Sequence, residues 1–180
     1  MKTIRFIFCI LLLLFQLSAC AQSAQPVRSV EYAVAFSPCG QSLEIVLSAI
    51  NSARESIHVA AYSFTSKPIA EALLAVYKRG LDVRVVVDKK DNSNEYSAVT
   101  FLANHGVPVR LNGEYAIHHH KFMVIDYRHI QTGSLNYSAA AMDKNAENVL
   151  VLWDMPELAA QYEYEWNRLW KEGEKLEAKY

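Results

Sequence analysis

Residues 119–136 read HHKFMVIDYRHIQTGSLN. Two short apolar runs, KFMVID and HIQTG, are joined by a few polar residues, and this pattern predicts a β-hairpin. Side chains alternate between the two faces of a strand, so His119 and Lys121 fall on one face while His120 and Phe122 fall on the other. The alternation places an imidazole and an ammonium group where both can contact one anion.

Strands alternate with helices on the N-terminal side of this hairpin. Apolar runs rich in β-formers predict buried strands at 56–64 and 82–88, with a helix that opens at Pro68 between them. After the hairpin come a further strand at 148–153 and a last helix that opens at Pro156. This order predicts a single α/β domain whose mixed, largely parallel sheet is flanked by helices on both faces.

The first 24 residues are typical of an export signal. Lys2 and Arg5 precede an apolar run, Phe6–Leu17, and small residues follow. The run is well short of the roughly 20 residues that a membrane-spanning helix needs. We therefore expect residues 25–180 to form the functional domain and the protein to be exported, either to the periplasm or to the medium.

Two forms of processing fit the end of this signal equally well. Ala19–Cys20–Ala21 and Ser23–Ala24 suit ordinary cleavage, whereas Leu17–Cys20 resembles the bacterial lipobox, in which the cysteine becomes lipidated. In the second case, Cys20 would anchor the protein to a membrane. The measured mass of the processed protein would distinguish the two.

The charge of the predicted domain argues against a broad basic surface. Without Lys2 and Arg5, 16 basic residues remain against 19 acidic ones, a formal net charge of −3. A cleft that contacts phosphate needs only local positive charge, so a phosphate-cleaving enzyme is compatible with this balance, with weak and salt-sensitive affinity. Cys39 is the only cysteine beyond the signal and is given no catalytic role.

The most specific signal is a pair of motifs at fixed spacing. His119, Lys121 and Asp126 have the form H-x-K-x4-D, and Gly133–Asn136 have the form G-S-x-N. With these motifs the chain resembles the phospholipase D superfamily. The segments AFSP, INSARESIHVAAYSFTSKPIAEAL, KRGLDVRVVVDKKDN and TGSLNYSAAA, with KNAENVLVLW, extend the resemblance to its small single-motif bacterial endonucleases, the Nuc-like branch.

The resemblance implies a role for each site residue. His119 would attack the phosphorus to form a phosphohistidine, while Lys121, Ser134 and Asn136 would hold the phosphate. Asp126 would support the site, across the strand or in the turn that follows, and Glu147 would orient the catalytic histidine. The family chemistry requires no metal and no cofactor.

The same family uses two such motifs in one active site, with one histidine attacking and the other protonating the leaving group. This chain contains one motif. A two-fold dimer brings the same patch together across its axis. We therefore expect an obligate homodimer with a single shared site.

Other residues have simpler interpretations beside the catalytic one. His118, His119 and His120 suggest a metal cluster, but neighbours on a strand diverge, and no cysteine or Glu-x-x-His partner lies nearby. Lys89 and Lys90 follow a strand end, so they suit either contact with a nucleic-acid backbone or an ordinary solvated loop.

The leading functional hypothesis is metal-independent endonuclease cleavage of DNA, with RNA as a related substrate. Little sequence preference is expected because no base-reading motif is visible. Two rivals are a phospholipid hydrolase held at a membrane and a nucleic-acid-binding relative that has lost activity. The presence of all five motif side chains disfavours the inactive relative.

Overall fold

The computed structural model describes residues 29–38, 40–93 and 97–179. The predicted export signal, the lipobox and Cys39 lie outside these residues, so they stay predictions. Within the described ranges, no helix combines the length and the apolar character that crossing a membrane requires.

The described residues form one eight-stranded sheet in the order β1-β7-β6-β5-β2-β3-β4-β8. The strands in chain order are β1 Glu31–Ser37, β2 Ser56–Ala61, β3 Asp82–Asp88, β4 Val109–Asn112, β5 Lys121–Ile125, β6 His129–Gly133, β7 Glu147–Trp153 and β8 Glu174–Lys175. The predicted hairpin is β5 and β6, which lie near the centre of the sheet.

The mixed α/β fold is confirmed, but parallel pairing is less extensive than the sequence predicted. In the described chain only β2 with β3 and β3 with β4 pair in parallel. The other pairings are antiparallel. The reason is the hairpin, which turns β6 back beside β5 without a helical crossover, after which β7 pairs with β6.

Helices cover both faces of the sheet, as predicted. They are α1 Ser42–Ser52, α2 Lys67–Lys78, α3 Lys89–Asn92, α4 Ala98–Asn104, α5 Ala139–Asp143 and α6 Pro156–Glu172. The α1, α2 and α4 side of the sheet contains the larger core, and α6 packs on the other face through Ala159, Trp166 and Leu169. The apolar stripe of the last helix is therefore packed against the sheet.

The period-2 pattern of β5 explains how one strand serves both cores. Met123 and Ile125 belong to the larger core, whereas Phe122 and Val124 belong to the core beneath α6. Lys121 is on the Met123 face and His120 on the Phe122 face, because alternate residues share a side. The side chains of Lys121 and His120, at the start of β5, therefore lie on opposite faces of the sheet.

Helix α6 lies mainly over β2 to β6 and leaves the β1 edge of the same face open. Tyr32, Val34 and Phe36 of β1 are 64%, 47% and 63% exposed there. They pair with β7, where Leu150 and Leu152 are only partly buried. We call these five residues the open sheet face.

Candidate active site

Apart from Asp126, the motif residues meet at one end of the central strands, where β5 begins, β6 ends and β7 begins. We call this end of the sheet the motif edge. Lys121 is the first residue of β5, Gly133 is the last of β6, and Glu147 is the first of β7. The carboxyl ends of β2 and β3 reach the same edge, because β5 runs antiparallel to β2. Hairpin and parallel strands together therefore bring residues distant in sequence to one place.

Lys121 is a buried cation at this edge, only 7% exposed. Its Nζ donates a hydrogen bond to the carbonyl oxygen of His119 over 2.7 Å. Burial lowers the pKa of Lys121, and the negative charges of Glu147 and Asp91 oppose that shift. A partly desolvated ammonium group is well suited to attract a phosphate.

His119 precedes the strand, and its side chain is exposed to solvent. Its ring contacts the ring of Tyr62, with the two centroids 4.8 Å apart. Lys121 Nζ lies 5.1 Å from the centroid of the same Tyr62 ring. The imidazole and the ammonium group predicted to share one face are thus brought together, with an aromatic ring beside both.

Ser134 and Glu147 form the second half of the site. Ser134 Oγ donates to Glu147 Oε2 over 2.6 Å and accepts from the backbone N–H of Asn148 over 3.1 Å. Asn145 Nδ2 donates to the other carboxylate oxygen over 3.2 Å. Across the described residues no hydrogen bond joins Glu147 to His119. The contact through which Glu147 was predicted to orient His119 is therefore not present within these residues.

The glycine of the G-S-x-N motif is required by packing. A Cβ on Gly133 would lie 2.3 Å from the carbonyl oxygen of Asn148, and the φ of Gly133 is +148°. The close approach lets the backbone N–H of Ser134 donate to that oxygen over 3.1 Å. Asn136 lies just beyond, and its Oδ1 is buried without a hydrogen-bond partner in the described chain.

A cavity of about 350 Å³ opens beside His119 on the α6 side of the sheet. Its lining includes Thr132 and Gly133 from β6 and Gln161 and Tyr162 from α6. The cavity leaves open space next to the imidazole of His119.

Asp126 lies in the turn after β5, as expected from its offset, and apart from this cluster. His120 and the five residues of β5 separate it from His119, and at about 3.3 Å per residue the strand alone spans roughly 16 Å. Its carboxylate instead accepts hydrogen bonds from the backbone N–H groups of Arg54, Glu55 and Ser56 over 2.8–3.1 Å. Asp126 therefore ties the β5–β6 turn to the start of β2.

Replacing Asp126 with asparagine is expected to lower stability without lowering catalysis. The amide keeps the size of the side chain but removes the negative charge that strengthens its hydrogen bonds to three backbone N–H groups. This loss should cost about 1–2 kcal/mol at a half-buried position. Urea denaturation should show this loss, while kcat/KM of the folded variant for bis(p-nitrophenyl) phosphate stays within about twofold of wild type. A large fall in kcat/KM at unchanged stability would restore Asp126 to the site.

The histidine triplet is divided among three environments. His118 is 2% exposed, and its backbone N–H donates to Asp88 Oδ2 over 2.9 Å. The exposed His120 faces α6, where its Nε2 lies 3.3 Å from Glu165 Oε1. In the described part of the chain no group of three or more His, Cys, Asp or Glu side chains is arranged to hold a metal ion.

Burial lowers the pKa of His118 to about 4, and the nearby His120 acts in the same direction. An unfolded histidine titrates near 6.5, so between about pH 6.5 and pH 4 the unfolded chain binds a proton that the folded chain excludes. The free energy of unfolding should therefore fall by about 3 kcal/mol as the pH drops through this window. Denaturant titrations at pH 7 and pH 4 should show a smaller fall for His118→Gln, whereas the exposed His105→Gln should behave like wild type. Equal falls in all three proteins would contradict the assignment.

Three residues near the ends of β2 and β3 join the site although no motif in the sequence marks them. Tyr62 directly follows β2, Asp88 ends β3 and holds the backbone of His118, and the buried Asn92 follows in α3. Their positions after buried parallel strands were the available signal, because ligand sites form at such strand ends. Of the lysine pair at the same place, Lys89 is engaged by Glu174, at 2.6 Å, and Lys90 is exposed.

The motif edge holds the groups that phosphodiester hydrolysis requires. They are an imidazole that can act as a nucleophile, a buried ammonium group, and the polar side chains of Ser134 and Asn136. The family model described as "Cardiolipin synthase, PLD-like domain" matches residues 46–170. The chain therefore belongs to the phospholipase D superfamily.

Within the superfamily the chain belongs to the Nuc-like branch. It is 38% identical to the phospholipase D family member Nuc from Salmonella typhimurium, with a TM-score of 0.80 over 83% of this chain and all of that one. NucT from Helicobacter pylori is 27% identical, with a TM-score of 0.73 over 82% of this chain and all of that one.

Curated relatives with other names are also similar. A mitochondrial cardiolipin hydrolase of Danio rerio is 35% identical over 72% of this chain and 57% of its own length. A phospholipase D of Rickettsia bellii is 34% identical over 73% of this chain and 65% of its own. The chain thus spans 57–65% of the length of these two relatives.

Proposed function

We propose that this protein is a metal-independent endonuclease that hydrolyses DNA, and RNA by the same chemistry, with little sequence preference. The observation that carries the proposal is the buried Lys121 ammonium group beside the exposed His119 imidazole. Similarity over the full length of Nuc and NucT favours a nucleic-acid substrate over a lipid.

In the first step the neutral imidazole of His119 attacks the phosphorus. A nitrogen–phosphorus bond forms and the bond to the leaving alkoxide breaks, while a second, protonated histidine gives its proton to that alkoxide. Lys121, Ser134 and Asn136 contact the non-bridging oxygens, where negative charge must be held. The product of this step is a phosphohistidine.

In the second step water releases the phosphate from His119. The second histidine, now neutral, takes a proton from the water as its oxygen attacks the phosphorus. The nitrogen–phosphorus bond breaks, and both histidines return to their starting protonation states. No metal ion takes part in either step of the proposal.

The second histidine is proposed to be His119 of another copy of the chain. Among the chain's other histidines, His58 is buried against Glu163 and Trp166, and His129 accepts a hydrogen bond from the backbone of Asp154. Both histidines lie near the far end of β5 from His119. A homodimer with one shared site supplies the missing acid.

The open sheet face is the surface that we assign to this homodimer. Phe36 pairs with Asn148, and the next residue of β1 pairs with Glu147, so the apolar face ends at the motif edge. Adjacent exposed apolar side chains of this size are typical of a protein interface. A second copy seated there would bring its own motif edge close to the first.

A phospholipid is the second candidate substrate. The relatives named cardiolipin hydrolase and phospholipase D favour it, since both match more than two thirds of this chain. The chemistry at phosphorus would be unchanged, and only the groups flanking the phosphate would differ.

The two substrates can be separated in one experiment. The full-length protein is incubated in excess EDTA with supercoiled plasmid and, in parallel, with cardiolipin vesicles. We expect nicked and linear plasmid and intact lipid, with cutting that weakens as salt is raised. Lipid hydrolysis with intact plasmid would favour the second candidate, and cutting only after magnesium is restored would contradict the phosphohistidine mechanism.

A further inference from the structure

Tyr62 contacts both reactive groups of the site. Its ring centroid is 4.8 Å from that of His119, with the planes tilted by 49°. Lys121 Nζ lies 5.1 Å from the same ring, within the distance at which an aromatic face stabilises a cation. One side chain therefore borders the nucleophile and the phosphate-binding cation.

His119 has few other restraints. Its side chain is exposed, and within the described residues its ring nitrogens make no hydrogen bond to protein. The backbone carbonyl is fixed by Lys121, but the imidazole could still rotate about its side-chain bonds. The ring of Tyr62 is the contact that limits this rotation.

Tyr62 itself is held by the buried Asn92. Asn92 Nδ2 donates to the carbonyl oxygens of Tyr62 over 2.5 Å and of Asp88 over 2.9 Å, while its Oδ1 accepts from Phe64 N–H over 3.0 Å. Phe64 in turn forms a bridge with Tyr137, just beyond the G-S-x-N motif. The backbone that carries Tyr62 is thus fixed to both sides of the site.

The phenol group does not act as the general base. The negative charge of Asp91 raises the pKa of Tyr62 above its ordinary value. The hydroxyl therefore stays protonated at neutral pH, where a general base must be free to accept a proton. The aromatic ring is the part of Tyr62 that contacts both His119 and Lys121.

We propose that Tyr62 is a positioning residue for phosphodiester hydrolysis, which holds the His119 imidazole in line with the phosphorus beside Lys121. This role rests on the proposed function, because it concerns the same attack. Small misplacements of a nucleophile cost large factors in rate, since the reacting atoms must approach along a narrow path.

The test compares Tyr62→Phe with Tyr62→Leu on bis(p-nitrophenyl) phosphate in EDTA. Phenylalanine keeps the ring, so we expect kcat within about twofold of wild type. Leucine removes the ring, and kcat should fall by about 10–100-fold while KM changes less than about threefold. A leucine variant with wild-type kcat, or a phenylalanine variant as impaired as leucine, would overturn the proposal.

A second measurement on the wild-type protein does not depend on activity or on how the variants fold. The imidazole proton resonances of His119, identified by their absence from the spectrum of His119→Asn, should lie upfield of a free histidine because of the Tyr62 ring current. Resonances at free-histidine positions would overturn the proposal. If wild type hydrolyses no diester, the proposed function fails and this spectrum alone decides the placement of Tyr62.

Discussion

Replacing His119 with asparagine is expected to lower kcat/KM for phosphodiesters by about 10⁴-fold or more. The amide has nearly the size of the imidazole but cannot form the nitrogen–phosphorus bond, and loss of a covalent nucleophile removes most of the catalysis that an enzyme supplies. The side chain is exposed, so the free energy of unfolding should stay within about 0.5 kcal/mol of wild type. Plasmid nicking in EDTA and turnover of bis(p-nitrophenyl) phosphate both measure the loss.

The adjacent histidine provides a matched control. His120→Asn makes the same chemical change one residue away, on a side chain that faces Glu165 of α6. Its kcat/KM should fall far less than that of His119→Asn, because His120 lines the neighbouring cavity but lies across the strand from Lys121. Comparable losses in the two variants, or substantial activity in His119→Asn, would contradict the assignment of His119 as nucleophile.

Replacing Phe36 with glutamate is expected to convert the proposed dimer into an inactive monomer. A charge within an apolar interface must be buried without a partner, which costs several kcal/mol. Because the second histidine comes from the other copy, the monomer should lose about 10²–10³-fold in kcat, as expected when general acid catalysis is removed. Sedimentation equilibrium and plasmid nicking on the same samples would show both effects.

The control for this variant is Ala75→Glu. Ala75 is an exposed residue of α2, on the opposite side of the sheet, so the added charge is the same but the surface is different. The control should remain dimeric and active. A wild-type protein that is monomeric and fully active at assay concentrations would sink the shared-site hypothesis, whatever the variants do.

The local patterns in the sequence were sufficient to place most of the site. Alternation along KFMVI put Lys121 and Met123 on one face and Phe122 on the other, as the two cores show. The sequence marks Gly133 only as part of the G-S-x-N motif. The structural need for glycine arises from its contact with Asn148, and the pairing of β6 with β7 that creates this contact could not be predicted from local patterns. Local periodicity thus identifies faces, whereas contacts between strands need the fold.

Asp126 and Tyr62 show why the remainder could not be predicted. The motif groups Asp126 with His119 by their spacing in the sequence. A strand of five residues, however, places the residue after it far from the residue before it. Tyr62 lies 57 positions before His119 in the chain and becomes its neighbour only because β2 and β5 pair antiparallel. The short helices α3 and α5 and the two-residue strand β8 carry too few residues for periodicity to reveal them.

The position of β1 has a consequence for how the chain acquires its structure. Among the described strands, β1 pairs with β7. Ser37 and Glu31 can therefore pair with Glu147 and Trp153 only after more than about 100 further residues have been synthesised. Contacts of such large sequence separation form late and slow down folding. Until then the segment EYAVAF is an unpaired apolar strand of the kind that aggregates, so we expect a nascent or refolding chain to depend on dilution or on a chaperone at this stage.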